Sequence, residues 1–292
     1  MITARTLVLG AALGALGAAA HANSVTKWNN ALLDAIATSS TPPPVASRAM
    51  AMTQAAVYDA VNAIDGRWTS YLPNAVAVTD PCSRKAAVAT AAHAVLSSLY
   101  PALQGDFDAL LDRQLSGLNN TIARDNGVAL GLACAQNMLV ARANDGSGNV
   151  VPYTPGNLPG QWRPTLPNFA PGLLPQWPTM DPFTMTAGDQ FRQGGPPALD
   201  SAQYAASLNE VKELGRIDSA TRTADQTEIA HLWAAGGGTV TPPGQWNQIA
   251  QQIAQNEGMS ITQSTRLFAA LGVAVADAAI VAWDMKYEYD LW

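Results

Sequence analysis

The amino-acid sequence predicts an all-α protein, a helical array or bundle with a long loop rich in Pro, Gly and Trp. Three observations support this fold class. Hydrophobic residues form 48% of the 292 residues and come mostly from Ala, Leu and Val, whereas aromatic residues reach only 7%. Most of the chain repeats its apolar residues every three or four positions, which is the period of an amphipathic helix. One central stretch shows neither this period nor the alternation typical of a strand.

The first helical region, residues 23–145, contains five segments with helical spacing. Pro, Gly and Asp-Gly breaks separate them, and such residues end helices. Connections this short favour antiparallel neighbours. The predicted helices cover Thr26–Thr38, Val45–Ile64, Ser83–Leu99, Leu103–Leu115 and Thr121–Arg142.

A loop follows at residues 146–199, where Pro and Gly are frequent and no period is sustained. Flexible linkers avoid large apolar side chains, yet this segment carries Trp162, Phe169 and Trp177. The composition therefore predicts an ordered loop. Long loops in compact domains are often functional, and the alternative is a cover for the helical core.

Residues 200–292 return to helical spacing. The predicted segments are Ser201–Leu214, Arg222–Trp233, Trp246–Asn256 and a last helix that starts at Ser260. Apolar residues in the last helix recur at steps of three and four, which predicts one buried face. That face would contain Leu267, Leu271, Val275, Ala278, Ala282 and Met285.

The N-terminus has the pattern of a secretory signal peptide over residues 1–22. Arg5 precedes a short apolar stretch, and Ala20-His21-Ala22 has the small-x-small form of a cleavage site. We therefore expect a periplasmic or secreted protein, cleaved near Ala22. An oxidising compartment would allow Cys82 and Cys134 to pair, but a lone Cys in a helix is also a common core residue.

The charge pattern excludes two classes of partner. The formal net charge is -6 and only four lysines occur in the chain. Nucleic-acid binding and peripheral binding to anionic lipid both need a basic surface. We expect no stretch after residue 22 to be apolar enough to span a membrane, since the last helix is Ala-rich and carries Asp277. We expect neither a nucleic-acid nor a membrane partner.

Common catalytic and metal motifs are absent from the sequence. Glu228 and His231 have the Glu-x-x-His spacing of di-iron helices, but no second copy exists. The chain also lacks a Gly-x-Ser-x-Gly turn, a phosphate loop and a dinucleotide fingerprint. We predict no metal ligands.

Lys286 is unusual because it follows a long apolar helical pattern in a lysine-poor chain. Taken alone, it fits a solvated lysine that interacts with the helix dipole. It also fits an ammonium that projects into a site beyond the helix.

Six segments of the sequence resemble bacterial vanadium-dependent haloperoxidase-related proteins, within the superfamily of type 2 phosphatidic acid phosphatases. The resemblance covers almost all residues after the signal peptide, and it implies the N-terminal part of the haloperoxidase fold. The segments are Thr41–Arg48, Gln54–Asn62, Gln190–Arg192, Gly195–Leu199, Arg222–Ala230 and Trp283–Trp292.

The first active-site motif of that superfamily is Lys, six residues and then Arg-Pro. Lys286 and the six residues to Trp292 match it up to the Arg-Pro pair, and the later motifs with Ser-Gly-His and with Arg and His have no counterpart. The resemblance implies that Lys286 is catalytic and binds the cofactor oxyanion, and that Trp283 lines a halide or substrate pocket. Asp225 is a weaker match to an acid that supports an active-site arginine, a role for which Glu228 competes.

The resemblance implies peroxide-driven halide oxidation, with vanadate as the cofactor of a complete family member. We expect residues 200–292 to lead into an incomplete domain, so that this truncated chain binds no vanadate and is inactive. The alternatives are a periplasmic acid phosphatase acting on phosphate esters and a non-enzymatic exported interaction module.

One expectation concerns self-association through the C-terminal helix. Four residues lie off the predicted buried face, namely Trp283, Tyr287, Leu291 and Trp292. If they were bare, they would form an apolar patch of the kind that promotes association.

Overall fold

A computed structural model of the chain describes residues 23–73 and 78–291. The predicted signal peptide and Trp292 lie outside the described residues. Within those residues the regular structure is helical, apart from one antiparallel bridge between Gln161 and Leu291. The helices are α1 Ser24–Thr38, α2 Pro43–Asp65, α3 Arg84–Leu99, α4 Gln104–Leu115, α5 Thr121–Ala141, α6 Ala202–Gly215, α7 Ala224–Trp233, α8 Thr241–Asn256 and α9 Ile261–Tyr289.

Helix α2 runs through the centre of the fold and is buried over most of its length. Pro43 begins it, a position where the fixed φ of proline suits a helix and its missing N–H costs nothing. Gly66 ends it in the left-handed region, with φ of 60°. Helices α3, α5 and α9 pack directly on α2, and α1 and α8 complete the core.

Helix α9 approaches α2 closely because its buried face is built from small residues. A Cβ atom placed on Gly272 would lie 3.2 Å from the Cα of Ala51, a distance tighter than most Cβ contacts, so glycine favours this close spacing. Ala269 and Ala276 line the same face. The buried Phe268 and Ile280 fill the space on either side.

The predicted buried face of α9 is wrong. Leu267, Leu271, Val275 and Met285 are only partly buried, and Ala278 and Ala282 are exposed. The buried face instead includes Asp277 and Asp284. A hydrophobic pattern does not mark carboxylates as core residues, because their burial depends on hydrogen-bond partners from elsewhere in the chain.

Helix α9 is also long and apolar enough, by length and composition, to cross a membrane. The expectation that no later stretch passes this test was therefore wrong. Core helices of soluble proteins pass it too, and part of α9 is covered by α2. The packing accounts for the apolar composition of this helix.

The loop between α5 and α6 folds back on the helical core. Trp177, Met180 and Phe183 are buried in a cluster with α2 and α9. Arg142 donates to the carbonyl oxygens of Asp181 and Pro182, and with Arg48 it binds Asp145. Burial acts to raise the pKa of Asp145, but the hydrogen bonds from Arg48 and Ser147 hold it below its usual value.

The two cysteines form no disulfide with each other, and helices α6 and α7 lie at the surface. Cys82 and Cys134 are not joined by a disulfide. Burial raises the pKa of Cys134 to about 12, so its thiol stays protonated at neutral pH. Helices α6 and α7 contain no buried residue and lie outside the core.

Candidate functional site

The last two turns of α9 hold Lys286 and Trp283 together. Lys286 is exposed, and its Nζ lies 4.1 Å from the centroid of the Trp283 ring, a cation–π distance. No carboxylate among the described residues forms an ion pair with Lys286. The helix ends at Tyr289, and a cation in its last turn is favourable to the helix dipole.

A single carbonyl of the loop fixes two aromatic rings beside this lysine. The indole Nε1 of Trp283 donates to the carbonyl oxygen of Leu173 at 2.7 Å, and the hydroxyl of Tyr287 donates to the same oxygen at 2.9 Å. Both rings are therefore held by hydrogen bonds before any ligand arrives. Trp283, Tyr287 and Leu291 are partly buried rather than bare, which corrects the basis of the predicted apolar patch.

The start of the loop is attached to the end of α9. The hydroxyl of Tyr153 donates to Oδ1 of Asp290, and the N–H of Trp162 donates to the carbonyl oxygen of Asp290 at 2.9 Å. Burial and the neighbouring Asp290 carboxylate raise the pKa of Tyr153 to about 12. Burial also raises the pKa of Tyr287. Both phenols are neutral at physiological pH.

Arg192 attaches the far end of the loop to α9. Its Nε and Nη2 each lie 2.7 Å from one carboxylate oxygen of Asp284, a bidentate pair, and Nη1 lies 3.2 Å from Glu288. These carboxylates raise the pKa of Arg192 above its usual range. Asp284 and Glu288 thus fix Arg192 on the last turns of α9.

Asp277 holds the middle of the loop from the buried face of α9. Its Oδ1 accepts the N–H of Phe183 at 2.7 Å. Its Oδ2 accepts the N–H groups of Thr184 and Met185, at 2.8 and 3.2 Å, and the Thr184 hydroxyl. Sequence reasoning missed the roles of Asp277 and Asp284. Their seven-residue spacing, which places both on one helix face, was the available signal.

The loop and α9 together line an open cavity of about 540 Å³. Four aromatic side chains, the Lys286 ammonium, and the polar side chains of Thr165 and Asn168 contribute to its wall. The lining residues are Tyr153, Trp162, Thr165, Leu166, Pro167, Asn168, Ala170, Pro171, Gly172, Leu173, Trp283, Lys286, Tyr287 and Leu291.

The structure separates Asp225 from the other predicted site residues. Asp225 is exposed in the first turn of α7 and makes no hydrogen bond or ion pair with Lys286 or with any arginine that the structure describes. Glu228, the competing candidate, is exposed on the same helix. The sequence predicted helix α7 but not its position relative to the core, because no residue of this helix is buried.

The residues around Lys286 do not by themselves fit vanadate. A desolvated oxyanion needs several fixed cationic donors, whereas the cavity wall offers one ammonium and Arg192 is occupied by Asp284 and Glu288. Within the described ranges, no group of three or more His, Cys, Asp or Glu side chains could hold a metal ion. These residues supply one donor of an oxyanion site.

Comparison with known proteins finds sequence similarity to a vanadium chloroperoxidase. No family model matches the sequence. The chain is 25% identical to vanadium chloroperoxidase from Curvularia inaequalis, over 93% of this chain and 56% of that protein. It therefore spans little more than half the length of that relative.

Solved structures show the same fold. A bacterial vanadium-dependent iodoperoxidase superposes with a TM-score of 0.80 at 23% identity, over 92% of this chain and 69% of that one. A bacterial vanadium-dependent chloroperoxidase gives 0.64 at 19% identity, over 86% and 62%. The predicted all-helical haloperoxidase fold is confirmed. The sequence similarity and the shared fold together support a relationship to the vanadium haloperoxidases.

Proposed function

We propose that this chain forms the helical part of a haloperoxidase-like enzyme that oxidises halide with peroxide. In this proposal, Lys286 is one cationic donor to the reactive oxyanion and Trp283 lines the adjoining pocket. The observation that carries it is an ammonium without a carboxylate partner, placed over the Trp283 ring at a cavity.

Within this proposal, the residues of the chain have separate tasks. Lys286 would stabilise negative charge on the bound oxygen through a charge-assisted hydrogen bond. Trp283 would limit access of water to that charge, and Arg192 would hold the loop on α9 through Asp284. Asp225 has no assigned part, because it is exposed and unconnected to this site.

The 292-residue chain alone is proposed to be inactive, because the arginine and histidine motifs of the superfamily are not in its sequence. One ammonium cannot offset the charge of a desolvated oxyanion. An exported location, with cleavage near Ala22, is part of the same proposal. N-terminal sequencing of the secreted product tests the location.

The decisive test uses the complete product of the gene that encodes this chain. With vanadate, bromide and hydrogen peroxide, we expect halogenation of a reporter. Loss of one oxyanion donor typically costs about 10²- to 10³-fold in rate, so Lys286→Ala should lose at least that factor. Lys212→Ala, on the exposed helix α6, is the matched control and should keep full activity.

Two other results would redirect the proposal. Hydrolysis of a phosphate ester in place of halogenation would favour the phosphatase alternative. Absence of both activities would favour the interaction module. Self-association through the end of α9 stays a prediction, which light scattering of the purified chain tests.

A further inference from the structure

A groove runs between helices α1 and α4, because each of them packs on α3 rather than on the other. The groove is open and has a volume of about 310 Å³, at the lower end of the range for ligand sites, about 300–1,000 Å³. None of its lining residues belongs to the cavity beside Lys286. The groove therefore offers a second site to a ligand.

Two hydrogen bonds fix the direction of the helices along this groove. The hydroxyl of Ser24, at the start of α1, donates to Oε1 of Gln114 at the end of α4. The hydroxyl of Thr41, just after α1, lies 3.5 Å from the hydroxyl of Tyr100, which precedes α4. The helices are therefore antiparallel, and the start of α1 lies beside the end of α4.

The charged side chains that line the groove are separated by sign. Lys27 of α1 and Arg113 of α4 lie at one end, and Asp34 and Asp106 lie at the other. On each helix the cation and the acid are seven residues apart, which corresponds to about two turns or about 10 Å. The groove thus has a positive end and a negative end.

These four charges are not paired with each other. Among the residues that the structure describes, none of the four side chains forms an ion pair. Pairs along one helix form at spacings of three or four residues, so a spacing of seven keeps the opposite charges apart. Between the two ends the floor is apolar, with Phe107 only 3% exposed and Leu110 partly buried. A ligand with two charged ends would displace no existing ion pair.

We propose that this groove binds a short linear zwitterion with the length of a tripeptide. The carboxylate of the ligand would lie between Lys27 and Arg113, and its ammonium between Asp34 and Asp106. An extended peptide spans about 3.3–3.6 Å per residue, so three residues span about 10 Å and match the separation of the two ends. Small apolar side chains would pack on the floor. The site does not use Lys286, so it is independent of the proposed haloperoxidase function.

Binding is tested with trialanine and the purified 292-residue chain, through the chemical shifts of its backbone amides. We expect saturable shifts in α1 and α4 and a dissociation constant in the millimolar range, because exposed ion pairs contribute little free energy. N-acetyltrialanine lacks the ammonium and trialanine amide lacks the carboxylate, so each should bind about 5-fold more weakly. Dialanine and pentaalanine, whose lengths do not match the groove, should also bind more weakly.

Variants assign each end of the ligand to its end of the groove. Asp34→Asn should weaken trialanine binding about 5-fold and leave the binding of N-acetyltrialanine unchanged. Lys27→Met should weaken trialanine binding equally and leave the binding of trialanine amide unchanged. Asp106→Asn and Arg113→Met repeat the two tests from α4. Asp112→Asn is the matched control, because Asp112 is exposed on α4 but does not line the groove.

Three outcomes would overturn the site. They are an absence of saturable shifts up to about 20 mM trialanine, equal binding of trialanine and its two capped forms, and equal effects of Asp34→Asn and Asp112→Asn. All five substitutions are at exposed positions, so the variants should fold, which circular dichroism checks. None of these measurements depends on halogenation, so this proposal and the proposed function can fail separately.

Discussion

Replacement of Asp277 should detach the loop from the core, because one buried carboxylate holds three consecutive residues of that loop. Asp277 is only 5% exposed. In Asp277→Ala, the N–H groups of Phe183, Thr184 and Met185 and the Thr184 hydroxyl would lose their acceptor. A buried donor left without a partner costs about 1–3 kcal/mol.

The expected total is smaller than the sum of four such penalties. The loop can move toward water and recover part of its hydrogen bonding, so we expect a loss of about 3 kcal/mol. Asp277→Asn keeps one acceptor oxygen and should lose about half as much. Asp200→Ala is the control, because Asp200 is exposed and its loss should change stability by less than about 0.5 kcal/mol.

Urea unfolding measures the free energy, and limited proteolysis reports the loop. We expect Asp277→Ala to be cut within residues 146–199 at protease concentrations that leave the wild-type chain intact. If the free energy of unfolding falls by less than 1 kcal/mol and the loop resists cleavage, the carboxylate does not anchor it and the reasoning fails.

Three further predictions concern Asp59, Gly172 and vanadate. Burial raises the pKa of Asp59 to about 6, above its ordinary value, so the folded state binds more protons than the unfolded state and stability should fall by about 2 kcal/mol between pH 4 and pH 7. Urea unfolding of Asp59→Asn should lack this component, and equal pH dependence would contradict the assignment. A Cβ on Gly172 would lie 2.8 Å from Tyr153 and 2.9 Å from Tyr287, so Gly172→Ala should lower the free energy of unfolding by about 1–3 kcal/mol, as measured by thermal unfolding. Gly148→Ala is the control, because a Cβ there meets nothing within 4 Å, and equal effects of the two variants would refute the close contact. Calorimetric titration of the chain with vanadate should show no site tighter than about millimolar, or about -4 kcal/mol, and a stoichiometric micromolar site would mean that other residues complete the pocket.

Local signals in the sequence account for most of the helices. The predicted helix Trp246–Asn256 is α8, which begins earlier at Thr241. Pro242 and Pro243 obscured its start, because proline suggests a break although it is tolerated in a first turn. Lys286 and Trp283 were singled out through the family resemblance, and their three-residue spacing on one helix brings the two side chains together.

The partners of the acidic residues were not predictable in this way. Asp284 pairs with Arg192, which lies 92 residues away in sequence, and no spacing in the sequence indicated that pair. The same holds for Asp277 and Asp290, whose partners lie in the irregular loop. No period relates a loop residue to a helix position, so such pairs emerge only when the chain is folded.

The sequence by itself determined the helical class, most helix bounds and the position of Lys286 beside Trp283, because these depend on contacts within a few residues. The tertiary structure alone decided which face of α9 is buried and that the loop covers its aromatic residues. Close packing on α2 requires small residues at the contact, as at Gly272. Burial of carboxylates requires donors from distant segments. Both conditions depend on three-dimensional proximity, which a local pattern of hydrophobicity does not contain.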